Sequence, residues 1–246
     1  MANTLPAALW MVLHILLDAD LAARVDTELL AAFPDASSTP VIPILSSLPL
    51  LNSVYRETLR LHIAGAVGRM SFSPDFQLGG RWQIDTGVPI MSSNWLGGLS
   101  QTFWNTGYVL PGGMPEYPVE TFWAERFLKY PNELVSGPIR QPEWSMYETR
   151  GRSSQKTVED DRNAKLVTAG LSGYWFPFGG GASKCPGEAL ASCTLLISVA
   201  MVIRSLRIEL VAPGEAAKAQ SRQRTLPFGS HAFDRPVPVR VRARIP

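Results

Sequence analysis

The segment Phe178-Gly179-Gly180-Gly181-Ala182-Ser183-Lys184-Cys185-Pro186-Gly187 constrains this chain more than any other, because a glycine run leads through a cysteine into the apolar stretch beginning at Glu188. Glycine has no Cβ, so three in a row let the backbone turn sharply and approach a partner closely. Pro186 suits the first position of the helix that follows, which predicts that the orphan N–H groups and positive end of that helix face the Cys185 sulfur. Glu188 in the first turn fits the same polarity. A sulfur so placed is held toward the thiolate, the form that binds metal. Gly187 leaves the approach side clear. A lone cysteine beside a glycine ordinarily reads as a small buried residue, but the spacing of Phe178, Gly181, Cys185 and Gly187 argues for a ligand presented to a flat cofactor.

Glycine backbone passing close to a flat macrocycle, with an anionic sulfur beneath, is an arrangement that ligates haem iron and pushes electron density into it. The pattern Phe-x-x-Gly-x-x-x-Cys-x-Gly resembles the haem loop of the cytochrome P450 family, and two upstream constellations match the family in order. The first is Tyr55-Arg56-Glu57-Thr58-Leu59-Arg60-Leu61-His62, where Glu57 and Arg60 stand three apart on one helical face and can pair. Alone, such a pair is most often a solvated surface bridge. The second is Ala124-Glu125-Arg126-Phe127. The resemblance implies that Glu57, Arg60 and Arg126 form a buried triad that serves folding and haem loading rather than chemistry. Arg69, nine residues beyond Arg60, stands where the family places an arginine on a haem propionate. The implied site is therefore Cys185 as axial ligand to the iron of haem b (iron protoporphyrin), with Phe178, Gly179, Gly181, Gly187 and Arg69 also contacting the cofactor.

The resemblance covers the whole chain and is to the C-terminal half of the family's fold. The implied fold class is mainly α with small β-sheets, the haem-loop half of the cytochrome P450 fold with its N-terminal half absent. Within a partial domain over 1–246, residues 1–33 resemble the end of the oxygen-side helix and the helix after it, and 47–62 the Glu-x-x-Arg helix. Residues 63–92 then resemble a small sheet, 93–177 the Trp-, Gly- and Pro-rich meander, 178–187 the haem loop, 188–207 the proximal helix and 208–246 the C-terminal strands. Leu78-Gly79-Gly80-Arg81-Trp82 through Gly87 predicts a hairpin with glycine turns. Val237, Val239 and Val241 alternate with Arg240, Arg242 and Arg244, the pattern of a half-buried strand.

Counted back from Trp10, Asn3 falls where most of the family carries a threonine that helps deliver protons during oxygen activation, which makes Asn3 the candidate catalytic residue. An amide donates and accepts hydrogen bonds but cannot relay a proton as a hydroxyl does. Asn3-Thr4-Leu5-Pro6 before Trp10 is similar to the branch containing sterol 7-alpha-hydroxylase and prostacyclin synthase, and Ser183, where the family usually has a basic residue, agrees. The leading expectation is a haem-thiolate monooxygenase, an oxidoreductase taking electrons from an NADPH-dependent reductase and acting on an apolar small molecule of secondary-metabolite or sterol- or lipid-like kind. The alternatives are a non-catalytic haem-binding fragment and a haem-thiolate isomerase that rearranges a peroxide without external electrons. Substrate-facing segments would be Ala2 to Leu5, Ile63 to Gly68 and the tip around Phe228 to His231.

Composition excludes several other classes. With 23 basic and 21 acidic residues the net charge is +2, so neither nucleic acid nor an acidic surface is implied as a partner. Cys185 and Cys193, eight residues apart along one predicted helix, would be separated by roughly 12 Å, too far for a disulfide. Cys193 reads as a small core residue. His14, His62 and His231 are scattered without ligand spacing, which argues against a zinc site. The apolar run Leu5 to Leu17 holds 13 residues against the roughly 20 that a spanning helix needs, and it lacks a basic leader and cleavage site. It is expected to be a buried helix that continues through Asp18-Ala19-Asp20 into the amphipathic stretch Leu21 to Phe33, stopping at Pro34. No membrane anchor is expected in this chain. The full-length parent is expected to be intracellular, at the endoplasmic reticulum membrane.

Overall fold

A computed structural model describes residues 4–35, 38–141, 155–221 and 229–244. Helix α1 (Thr4–Leu17) buries Ala7, Trp10, Met11, Leu13 and Ile15 but leaves Leu5 and Leu9 exposed, so the apolar run is covered on one face only. It does not run on as expected. Helix α2 (Ala19–Ala32) departs at 113°. Asp18 between them has extended backbone, and its carboxylate accepts a hydrogen bond from Leu21 N at 3.0 Å. A side chain that caps the second helix sits outside helical geometry, which breaks the continuous helix expected from Leu5 to Phe33.

After the short α3 (Ile42–Leu45) comes α4 (Pro49–His62), which starts on a proline and receives no side-chain cap from Leu48. Glu28 of α2 supplies the cap from elsewhere in the chain: its two carboxylate oxygens accept from Leu50 N and Leu51 N, each at 2.9 Å. Burial pushes the Glu28 carboxyl up to about 7, against the two backbone donors that favour its charged form. Two of the N–H groups that every helix start leaves without an internal partner are thereby satisfied.

The chain then turns from α4 into β1 (Ile63–Ala64) and into a hairpin of β2 (Ala66–Met70), β3 (Gln77–Leu78), β4 (Trp82–Gln83) and β5 (Pro89–Ser93). Strand β2 pairs antiparallel with β5, Gly68 facing Met91, and β3 pairs with β4. Between β3 and β4, Gly79 and Gly80 hold φ of 61° and 66°, the two consecutive left-handed positions that a tight hairpin turn requires. Helix α5 (Asn94–Gly98) opens a long irregular stretch whose regular pieces include β6 (Leu128–Lys129), α6 (Val158–Asn163) and β7 (Lys165–Leu166), with β6 antiparallel to β7.

Helix α7 (Glu188–Ser205) is long and apolar enough to cross a membrane, yet its Leu195, Leu196, Val199 and Ala200 are buried in the main core, where α7 packs on α1, α2 and α4. Cys193, expected in the core, is half-buried, because the buried face of α7 begins two residues later. The remaining segment is not all strand. It comprises β8 (Leu206–Leu210), α8 (Pro213–Ala216), β9 (Gly229–Ser230) and β10 (Val239–Ala243); β8 pairs antiparallel with β10, and β9 with β1. The alternating Val/Arg strand forms as β10, but each of its residues is exposed, Val241 by 52%. It belongs to a two-stranded sheet, and only Val237 ahead of it packs, into a small cluster around Trp10.

Replacing Glu28 by alanine should lower unfolding free energy by about 1–3 kcal/mol, the penalty for leaving buried donors unmatched. The check is the denaturant midpoint, with Glu28→Gln expected to recover part of the loss through its one remaining oxygen.

Candidate functional site

Glu57 and Arg60 lie one turn apart on α4, and both side chains are fully buried. Arg60 grips the carboxylate with two hydrogen bonds, Nε to Oε2 at 2.7 Å and Nη2 to Oε1 at 2.8 Å. Arg126 adds a third from its Nε to Oε1 at 2.9 Å, and Trp123 N donates to the same oxygen at 3.1 Å. Burial alone would push the Glu57 carboxyl up; the Arg126 and Arg60 guanidinium groups outweigh it and hold the group below the usual carboxylate range. The remaining arginine N–H groups reach backbone: Arg60 Nη1 donates to Gly98 O at 2.5 Å and Val119 O at 2.7 Å, and Arg126 donates to the carbonyls of Asn105 and Thr121. One buried carboxylate thus ties α4 to α5 and to the irregular stretch. Gly98 is also held close to the α4 backbone, since a Cβ there would lie 2.8 Å from the Arg60 carbonyl oxygen.

A cavity of about 650 Å³ lies between α1, the turn from α4 into β2, the glycine loop and the start of α7. Cys185 is exposed and lines it, together with Phe178, Gly179, Gly187 and Arg69. The loop is closed by Cys185 N donating to Phe178 O at 2.8 Å, and Gly179 and Gly181 hold positive φ of 76° and 60°. Gly181 starts a single 3-10 turn (Gly181–Ser183) on the far side of the loop, beside Arg69. Arg69 spans the gap, its Nη2 donating to Gly180 O at 2.6 Å. Gly187 leaves the sulfur accessible: the position of its missing Cβ is 3.7 Å from Cys185 Sγ. Lys184 points elsewhere, into an ion pair with Glu188 at 2.5 Å.

Pro186 is not the first helical residue. Glu188 N donates to Cys185 O at 3.3 Å, so Cys185 to Glu188 form a turn with proline at its second position, and Gly187 precedes the first residue of α7. Proline's fixed φ suits that turn position as well as it suits a helix start. The other walls come from distant segments: Thr4 and Ala7 of α1, Ile63 to Gly68, Leu190 of α7, and Gly229 with Ser230. Asn3, Ala2 and Phe228 lie outside the described residues.

The histidines, scattered in sequence, meet in space. Though 48 positions apart, His14 and His62 bring their Nε2 atoms within 2.8 Å, and His231 N donates to the His62 carbonyl at 3.0 Å. The two imidazoles form a hydrogen-bonded pair, and among the described residues no group of three or more His, Cys, Asp or Glu is placed to hold a metal. Local spacing carried no sign of this meeting, because the residues come from α1, the end of α4 and the segment just after β9.

Comparison with known proteins places these features. The cytochrome P450 family model matches residues 1–107. The cytochrome P450 monooxygenase fsoE of Humicola fuscoatra is 30% identical over 251 residues, covering 99% of this chain and 40% of that protein. The monooxygenase efuG of Hormonema carpetanum is 31% identical, covering 85% of this chain and 36% of its own length. The lanosterol 14-alpha demethylase of Eremothecium gossypii is 26% identical over 80% of this chain and 32% of its own. Among solved structures, the fold matches that of a cytochrome P450, CYP102L1, with a TM-score of 0.62 at 18% identity, over 98% of this chain and 42% of that one. The chain belongs to the cytochrome P450 family. It spans 40% of the length of fsoE and 36% of efuG.

Truncating Arg60 strands the Glu57 charge in the interior, so Arg60→Ala should cost about 3–5 kcal/mol of stability, read from chemical denaturation. Arg60→Lys should recover little of it, because an ammonium cannot reproduce the two-pronged contact.

Proposed function

We propose that this chain forms the haem-thiolate part of a cytochrome P450 monooxygenase acting on an apolar small molecule. The observation that carries the reading is the exposed Cys185 thiol on the wall of a cavity otherwise built largely from glycine, alanine and aliphatic side chains. These residues fit a haem. Cys185 would supply the sulfur ligand to iron, Arg69 at the cavity edge would meet a carboxylate of the macrocycle, and Phe178, Gly179 and Gly187, which line the cavity, would let the flat ring approach closely, whereas Gly181, on the far side of the loop, shapes the turn. Haem b, when bound, would supply the redox chemistry for inserting one oxygen atom of O₂ into substrate, with electrons from an NADPH-dependent reductase.

The chain's own contributions are binding, orientation and exclusion of water. Ala7, Leu59, Ile63, Ala64 and Val67 present no hydrogen-bonding side chain to the cavity, which favours apolar substrates, secondary metabolites or sterol-like lipids, over polar ones. Thr4, the residue after Asn3, brings a hydroxyl to the lining at the start of α1. Glu57, Arg60 and Arg126 lie outside the lining, and we assign them to structure and haem retention.

The test is the spectrum of the haem-reconstituted protein, reduced and exposed to carbon monoxide. A red-shifted Soret band of thiolate type is expected from the unaltered chain and from Cys193→Ser, and should be lost in Cys185→Ser. A band that survives in Cys185→Ser overturns the assignment.

A further inference from the structure

His14 of α1 and His62 of α4 face each other with Nε2 atoms 2.8 Å apart, so one ring donates a proton and the other accepts it. Both rings are clamped. Trp10 stacks on His62 with centroids 3.7 Å apart, Phe122 stacks on His14 at 3.9 Å, and the second His62 nitrogen lies 2.7 Å from Ser221 Oγ. The backbone around the pair is fastened too: the His62 carbonyl accepts from His231 N at 3.0 Å, and Trp10 Nε1 donates to His231 O at 2.8 Å. Immediately beyond, Ile63 pairs with Ser230 and Ala64 with Gly229. Those four residues are a wall of the cavity that holds Cys185.

The groups around the pair keep it neutral. Burial pushes His14 down to about 3 although Glu57 acts in the opposite direction. Burial, and then His14, Arg60 and His231, push His62 well below the usual histidine range. Phe122, Trp10 and Phe233, which close over the two rings and over Trp10, carry no charge. On its open side His14 borders a hollow ringed by Asp18, Asp20 and Arg24 near the α1 to α2 bend and by Glu116, Glu120, Glu125 and Lys156 opposite, and this mixed set does not offset the burial.

We propose that His14 and His62 are positioning residues that hold the β1/β9 wall of the cavity in place and release it in acid. While the wall is in place both rings stay neutral; once it opens, water reaches them and they regain ordinary proton affinity near 6.5. Below that value the open form binds protons that the closed form does not, so opening grows as pH falls and is insensitive to pH above it. Relative to pH 7.5, each exposed histidine at pH 5.5 raises the opening equilibrium about 10-fold, and the two together about 100-fold. The inference concerns the wall itself and stands whether or not Cys185 binds haem.

Hydrogen exchange followed by mass spectrometry on this chain, at pH 7.5 and 5.5 with rates corrected for intrinsic chemistry, reads the opening directly. Peptides over 62–66 and 229–232 should lose protection about 100-fold at pH 5.5, while the buried turn of α7 over 195–200 changes far less. In a His231→Gln background, which keeps the third buried histidine of the opening segment out of the comparison, His14→Gln, which can still share a hydrogen bond but cannot titrate, should reduce the pH effect to about 10-fold, and His14→Gln with His62→Gln should remove it. Equal losses in α7 and the wall would make the acid effect global and overturn the proposal. So would an unchanged wall at pH 5.5, or a pH effect that persists in the double variant. The comparison within the unaltered chain decides the matter even if the variants fold poorly.

Discussion

A carboxylate without access to water must be surrounded by positive charge and donors, or it will not stay ionised. Glu57 meets that demand with the guanidinium groups of Arg60 and Arg126 and the backbone N–H of Trp123, and much of the architecture is arranged to deliver them. Arg60 comes from the same helix, so it needs only α4 to form. Arg126 comes from 69 positions away and can arrive only if the irregular stretch is laid down in one path. The arginines then fasten carbonyls at Asn105, Gly98 and Val119, so that one ionic cluster fixes backbone that has little regular structure of its own.

A second ionic cluster works from the opposite side. Arg24 of α2 holds Asp161 with two hydrogen bonds of 2.8 Å and Glu125, the neighbour of Arg126, at 2.6 Å. The Tyr130 hydroxyl donates to Asp161 at 2.9 Å. Buried ion pairs add little net stability against an apolar alternative, because desolvation offsets much of the attraction. Their effect here is on geometry: a long segment with few helices and strands is clamped to α2 at one point and to α4 at another, with Glu125 and Arg126 adjacent in sequence and serving different helices.

From that clamped segment the chain passes into the glycine loop. Asn94 makes the transfer, its side-chain amide donating to Ile63 O at 3.0 Å while its oxygen accepts from Phe176 N at 2.7 Å. The end of α4, where the β1/β9 wall begins, and the approach to Cys185 are thus joined through one asparagine. Placement of the thiol, of Arg69 on β2 and of the apolar wall all descend from where α4 lies. The cavity is a place where five separately encoded segments meet, and none of them could form it alone.

Features whose physics is contained in a few consecutive residues were legible beforehand. Gly79-Gly80 announced a tight turn because no other residue takes two left-handed positions at little cost, and the spacing of Phe178, Gly181, Cys185 and Gly187 marked the loop. Glu57 and Arg60 could be paired because three residues along a helix bring side chains together. That Arg126 completes the set came only from resemblance to a family, since spacing says nothing about partners so far apart. Even nearby signals misled where a rival use existed. Asp18 could sit within a helix or cap the next one, and Pro186 could open a helix or occupy a turn. Burial was the least legible quantity: the alternation of Val239 and Val241 with arginines specified a strand, but whether anything covers it depends on neighbours that the strand does not encode. The same holds for Glu28 capping a helix from 22 positions away and for His14 meeting His62. The sequence by itself determined the family, the loop and the local elements, because dihedral preference and periodicity are short-range. Only the tertiary structure decided which faces are dry, which carboxyls and imidazoles are shifted and which residues share the cavity, because desolvation and charge act through space between segments that the order of residues leaves apart.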